Sequence, residues 1–533
     1  MAKFRERSVI DEGLWRDVLG IEAPLPVGGR RRSWAAAWRE YWAFYRTRRY
    51  FHRAWIVQEV AVAGRLEMMA GRRGEELRWD DMYGFAEFLV ETGWFTELDD
   101  LGDSWLEGLG SNPGTVKGFG ITDIGTLQRQ LRSRWFEKTG WPMYWWEVVT
   151  TVRKRDCFLK EDKVFATVGT LQQVLTPGTP LPFPVDAAAT PLQVYVHAAA
   201  ALLHHCPELP GLSFVDHQDY YRLPNLPSWV PDLTSDKYTN PIGTFFSGFK
   251  ACVLNPDTVP PRHVTPAGEL HLRGIKLDTL SFKTTPCAPL STDFAIEALS
   301  FLATMPTLYA HANGRDRDGV LTPLFREAAL VDALTCYQAA NPYRGAVAET
   351  QRLLKGCRAW LVMALGSVYS GCLMREGQPW YDAATLAEYR GKWAKVEALI
   401  RGMGARALVP SVEEIREYGE EMMRARAADR PWLERIKPPT VFKSQIGSMM
   451  LMRCLFRTVE GRVGVCTQTC EPGDEVWFLE GGAVPYVLRP CKEEGGKQTY
   501  MFHGECCVVG AMYGELVESG HIVPDKLEDV VIR

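Results

Sequence analysis

The chain has no apolar run long enough to cross a bilayer. Its longest, residues 359–374, falls short and is broken by Gly366, Ser367, Ser370 and Gly371, so it predicts a buried helix and no membrane span. The first residues, Met1-Ala2-Lys3-Phe4-Arg5-Glu6-Arg7, lack the apolar core of a signal peptide, and the expected localisation is cytoplasmic. Charge of one sign is also missing. Lys and Arg total 61 against 65 Asp and Glu, a net −4, which gives no general attraction to nucleic acid or to an anionic membrane surface. There is no internal repeat, P-loop, nucleophile elbow, kinase set or zinc-protease helix. Gly108-Leu-Gly110 starts like a dinucleotide fingerprint, but no strand precedes it and the third glycine is misplaced. No cofactor is expected.

The 13 cysteines are odd in number and spread from Cys157 to Cys507, unlike the dense framework of a small disulfide-stapled domain. Cys466, Cys470, Cys506 and Cys507 have the makings of a zinc set. Adjacent residues on a strand point to opposite faces, however, so Cys506 and Cys507 are ill placed to share an ion, and buried reduced thiols are the better account. No metal site is expected. His204-His205 lacks a third ligand. The fragment 313–319 lacks the alternating carboxylates of a calcium loop and reads as a turn.

With 46% apolar and 24% charged residues, 533 residues suffice for three or four folded units. The aromatics Trp34, Trp38, Tyr41, Trp42 and Tyr45 recur at helical spacing after Ser33, a candidate N-cap. Residues 51–64 predict a largely buried helix stopped by Gly64. A short strand over 65–70, helices near 81–89, 127–136, 145–152 and 191–205, and a proline-rich connector over 176–184 follow. Residues 290–428 carry helical patterns, with Asp382 as a cap and Ser411-Val-Glu-Glu414 as a capping box. After a proline-bearing linker over 429–440 the period switches. Residues 449–457, 463–467, 475–479, 484–488 and 499–509 predict five short strands in a small antiparallel sheet or partly closed barrel. The expected domains are 1–235, a connecting segment over 236–290, a helical region over 291–428, and a β module over 441–533.

Four spaced motifs resemble the heterokaryon-incompatibility (HET) domain proteins of filamentous fungi. Arg53-Ala-Trp55-Ile-Val-Gln58-Glu59 resembles the family's R-x-W-x-x-Q-E signature. Residues 162–169, beginning Asp162-Lys163, resemble its D-K-[VI]-[YF]-A-x-x-G-L segment, and Pro227-Ser228-Trp229-Val230-Pro231-Asp232 its P-S-W-x-P-D. Pro472-Gly473-Asp474, Gly481-Gly482, Leu488-Arg489-Pro490 and Gly504-Glu505-Cys506 are similar to its terminal β module. Family members usually carry a first half with a W-[IL]-D-x-x-C-I-N-Q segment, and no Cys-Ile-Asn-Gln occurs here. The resemblance therefore implies an α/β HET domain over 1–235 without its first half, with a TIR-like parallel sheet as the family's proposed architecture.

Two readings of the motif residues stay open. Gln58 and Glu59 are polar groups on an apolar helix, and burial would demand partners for them. Glu59, with Asp162, is then either a desolvated acid or base, or part of a buried network in which it pairs with Arg53 or Lys163. Arg53, Trp55, Gln58, Lys163, Trp229 and Asp232 are the accompanying motif residues, and Trp229 reads as an anchor in a rigid loop. The resemblance implies a protein of nonself recognition and regulated cell death, or a divergent, inactive paralogue, acting through an unidentified protein partner or small-molecule ligand. The alternative is an enzyme, cleaving an NAD-type nucleotide or serving fungal secondary metabolism.

Overall fold

A computed structural model describes residues 24–27, 30–33, 44–45, 48–70, 75–91, 121–215, 222–235, 239–243, 248–255, 259–305, 308–309, 324–337, 346–375, 382–404, 408–427, 440–491 and 498–533. Most of the aromatic stretch 34–45, the loop over 101–120, the fragment 313–319 and most of the linker over 429–440 lie outside them. The chain divides into two compact units, Met1–Ala198 and Ala199–Arg533.

The described part of the first unit is helical. The helices Ile56–Ala61, Ile121–Arg132 and Trp141–Arg153 pack on one another, joined by Asp162–Phe165 and Val168–Val174. Ile56, Val57, Val60, Trp145, Val148, Val164 and Leu171 are buried between them. The Trp145 indole stacks on Phe183 at 4.9 Å and donates to Thr167 Oγ1 at 2.8 Å, so a large apolar body is buried with its one N–H satisfied. Extended structure is confined to the hairpins β1–β2 (Pro24–Val27, Arg30–Ser33) and β3–β4 (Met68–Ala70, Glu75–Leu77), plus one parallel bridge between Arg53 and Asp156. Among the described residues this unit holds no parallel sheet of the kind expected for 1–235.

The second unit is built on a barrel. Its strands are β5 (His263–Val264), β6 (Leu270–Lys283), β9 (Arg453–Thr458), β10 (Val463–Thr467), β11 (Glu475–Leu479), β12 (Tyr486–Pro490), β13 (Tyr500–Val508) and β14 (Glu528–Ile532). A separate pair, β7 (Leu308–Tyr309) and β8 (Leu324–Phe325), lies among the helices. The main sheet runs β10-β9-β6-β11-β12-β13, and β13 pairs back onto β10, so the antiparallel strands close a ring. Register shifts at Val476/Trp477, Val487/Leu488 and Leu280/Phe282 mark where the strands bend to close it. Cys466, Val476, Phe478, Val487, Cys506, Val508, Leu280 and Phe456 fill one apolar cluster. Mixed α/β content is thus present, as helices together with an antiparallel barrel.

Two boundaries differ from the sequence expectation. Residues 236–290, expected to connect, contribute β6, which hydrogen-bonds to β9 and β11 and to β14. The division at Ala198/Ala199 precedes the expected 235, because residues 209–232 are tied to the barrel. Tyr486 donates to the Leu209 carbonyl at 3.4 Å, and Ser228 N–H donates to the Arg533 carbonyl at 2.8 Å.

The expected helices of 291–428 appear as Thr292–Thr304, Arg326–Thr335, Ala346–Cys372, Ala383–Met403 and Val412–Ala427. Asp382 Oδ1 accepts from Ala384 N–H at 3.1 Å and Ser411 Oγ from Glu414 N–H at 3.1 Å, both capping bonds read from sequence. The stretch 359–374 lies mostly within Ala346–Cys372, where Trp360, Leu361 and Leu365 are buried, and no helix among the described residues is long and apolar enough to cross a membrane.

Candidate functional site

Motif residues from separate stretches of the first unit meet in hydrogen bonds. The Trp55 indole N–H donates to Asp162 Oδ2 at 3.2 Å. Gln58 Oε1 accepts from Gly169 N–H at 2.7 Å, and a Cβ at residue 169 would lie 2.5 Å from that oxygen, so glycine permits the approach. Lys163 is buried, and its ammonium donates to the Arg153 carbonyl at 2.9 Å and to that of Arg155. Burial pushes the Lys163 pKa below the usual lysine value, and the backbone carbonyls provide acceptors for a charge otherwise expensive to bury.

Glu59 departs from the desolvated-acid expectation. Its side chain is 44% exposed, and it pairs with Arg53 at 3.4 Å, itself 48% exposed. The six-residue helix Ile56–Ala61 turns Ile56, Val57, Val60 and Ala61 inward, which leaves Glu59 on the solvent side. An exposed ion pair of this kind adds roughly 0–1 kcal/mol. Asp162 is committed to the Trp55 indole. The arrangement fastens one stretch to another through Asp162, while Glu59 is paired with Arg53 at the surface.

Trp229 and Asp232 belong to the second unit. Trp229 is buried and its indole donates to the Gly268 carbonyl at 2.8 Å, in the turn between β5 and β6, where Gly268 has φ +87°. Asp232 accepts from Leu223 N–H at 2.7 Å and from Thr234 N–H at 2.8 Å. Ser228 Oγ accepts from Phe502 N–H at 2.9 Å. The P-S-W-x-P-D stretch is a clip on the barrel.

Two ion pairs join residues of the barrel strands and turns, one fully buried and one partly exposed. Arg489 donates to both oxygens of Asp474, at 2.7 and 2.9 Å. Arg453 and Glu505, 0% and 1% exposed, pair at 2.6 Å. Glu505 also accepts from Ile242 and Gly243 N–H at 2.5 and 2.9 Å, while Arg453 donates to the carbonyls of Asn240 and Met449. Burial raises the Glu505 pKa, and the Arg453 guanidinium works against that rise. Arg453 escaped the sequence reading. Its signal is a charged residue placed directly before the apolar run Cys454-Leu455-Phe456, without any indication of which acid it meets.

Residues 439–522 match the family model described as the Het-6 beta-barrel domain. This relates the chain to heterokaryon-incompatibility proteins of fungi through its C-terminal barrel, and not through the partial HET domain expected over 1–235. The match takes in β9 to β13 together with Arg453, Asp474, Arg489 and Glu505; β6 and β14 fall outside it. No curated protein and no solved structure matches the chain.

Within the Het-6 barrel region the cysteines follow strand alternation. Cys454, Cys466 and Cys506 are cross-strand neighbours, and Cys506 joins the apolar cluster, whereas Cys507 lies beside Cys336. Burial raises the pKa of the Cys506 thiol and pushes that of Cys454 up to about 12, which keeps them protonated and unreactive. Among the described residues no group of three or more ligating side chains could hold a metal ion.

His503 on β13 gives the barrel a titration signature. Burial, aided by the Arg489, Arg222 and Lys283 cations, pushes its pKa down to about 3. The unfolded chain takes up that proton near the ordinary value of about 6.5, so stability is lost as pH falls from there toward 3. In urea titrations, the wild type should lose about 1.4 kcal/mol more per pH unit between roughly pH 6 and 4 than His503→Gln loses. Equal slopes would show that His503 is not buried uncharged.

Proposed function

We propose that the chain is a heterokaryon-incompatibility-type protein of fungal nonself recognition, acting in the cytoplasm, whose engagement by a partner sets off regulated cell death. The observation carrying this reading is the Het-6 beta-barrel match at residues 439–522. The first-unit geometry adds a mechanistic constraint. Trp55, Gln58, Asp162 and Lys163 are occupied in bonds between separate stretches and Glu59 is half-exposed beside Arg53, which supports signalling by recognition and conformational coupling rather than by acid–base chemistry at Glu59.

Induced expression in a filamentous fungus, followed by colony growth and vital-dye uptake, tests the proposal. Growth arrest with dye uptake is expected, and Glu59→Gln should keep the full response because it removes only an exposed ion pair. Normal growth at confirmed expression overturns the proposal. A well-expressed Glu59→Gln protein that no longer arrests growth would move the reading to carboxylate chemistry.

A further inference from the structure

A cavity of about 630 Å³ in the second unit is lined by Ala303, Arg326, Lys395, Ala398, Leu399 and Met403, with Gly402 at its wall. It lies where the end of Thr292–Thr304, the start of Arg326–Thr335 and the last turns of Ala383–Met403 converge. The volume falls within the range of small-molecule sites.

Arg326 makes this cavity more than a gap between helices. Its side chain is only 6% exposed, yet its Nε and Nη2 have no hydrogen-bond partner among the described residues. Nη1 has a single long bond, 3.4 Å to the Met305 carbonyl. The carboxylate paired with it among the described residues, Glu327, stands 3.7 Å from Nε, beyond hydrogen-bond reach. A buried guanidinium with unanswered donors is costly, and the cavity is the face from which an acceptor can arrive. Lys395, half exposed, brings a second cation, held by Glu297 at 3.4 Å with donors to spare.

We infer that this cavity binds a small amphipathic carboxylate, its two oxygens taken by the Arg326 guanidinium and its apolar body laid along Ala303, Ala398, Leu399 and Met403. The planar Arg fork matches a carboxylate in bidentate geometry, and Met403 adapts to an irregular apolar shape. Glu297 and Glu327 balance the two cations in number, but Glu327 stands beyond hydrogen-bond reach of Arg326 Nε, so the donors left over on the fork have room for one carboxylate. This inference does not depend on a role in nonself recognition.

The test is isothermal titration of the full chain with decanoate and, as the uncharged probe of the same body, decan-1-ol. Decanoate should bind at least about tenfold more tightly than decanol, the discrimination expected from charge-assisted hydrogen bonds. Arg326→Gln should weaken decanoate by a similar factor and Lys395→Gln by only a few fold, as suits a rim cation. Ala398→Trp guards against misfolding of the Arg326 variant. Residue 398 is exposed, so the indole fills the cavity mouth without disturbing the core, and decanoate binding should be lost. Equal affinity for decanol, unchanged affinity in Ala398→Trp, or no binding at millimolar decanoate because water satisfies Arg326, each overturns the inference.

Discussion

Replacing Glu505 by leucine should cost the second unit about 3–5 kcal/mol, the penalty for stranding one member of a buried ion pair. The change leaves the Arg453 guanidinium without its carboxylate at a position of 0% exposure. It also removes the acceptor for Ile242 and Gly243 N–H, releasing the 239–243 segment from the barrel. Against a typical total of about 5–15 kcal/mol, such a loss brings the unit close to unfolding at ambient temperature. Chemical denaturation followed by tryptophan fluorescence measures it. Glu505→Gln keeps an acceptor and should fall between wild type and Glu505→Leu. The double variant Arg453→Met/Glu505→Leu should be less destabilised than the two single changes added together, by at least about 1 kcal/mol, because it removes the stranded charge. A Glu505→Leu protein within about 0.5 kcal/mol of wild type, the margin of an ordinary surface change, would show that the pair does not anchor the barrel.

What the sequence disclosed depended on how local the deciding interaction is. The caps at Asp382 and Ser411 were legible because each bond spans two or three residues. The strands 463–467 and 475–479 were legible to the residue, fixed by glycine turns beside them. The expected strand 449–457 begins instead at Arg453, since residues up to Met449 continue the helix Thr440–Met449. β6 shows clear alternation in Leu270-His-Leu-Arg, but alternation says nothing about a partner strand nearly two hundred residues later. The 53–59 stretch shows the other limit. Its apolar residues predict a largely buried helix, which holds for Ile56, Val57 and Val60, but apolar content alone does not show that the burial is confined to one face. Glu59 therefore meets Arg53, one of the two partners expected of it, but at the surface, while Gln58, at the edge of the buried face, finds the partner that burial requires.

The same non-local β6 yields the sharpest prediction about the Het-6 barrel region. A fragment comprising only residues 439–522 should not fold. It lacks β6, which supplies a full set of partners to β11 through the pairs from Glu475–Thr279 to Leu479–Gly274, and a second set to β9 through Leu280, Phe282 and Lys283. Without it the ring opens, and β9 and β11 are left with unpaired edges that favour association over folding. The apolar cluster loses Ala251, Cys252, Leu280 and Leu527, together with Ile275 and Leu277 packed against it. Glu505 loses the Ile242 and Gly243 amides, so the pair with Arg453 no longer has its full set of bonds. The fragment should give a collapsed amide proton spectrum, no cooperative thermal transition, and aggregation at micromolar concentration. A longer fragment over 199–533 carries every strand of the ring and should melt cooperatively with dispersed resonances. Dispersed resonances and a cooperative melt from 439–522 alone would mean that the matched stretch closes without β6. In that case the strand from the middle of the chain is an addition to the module and not one of its staves.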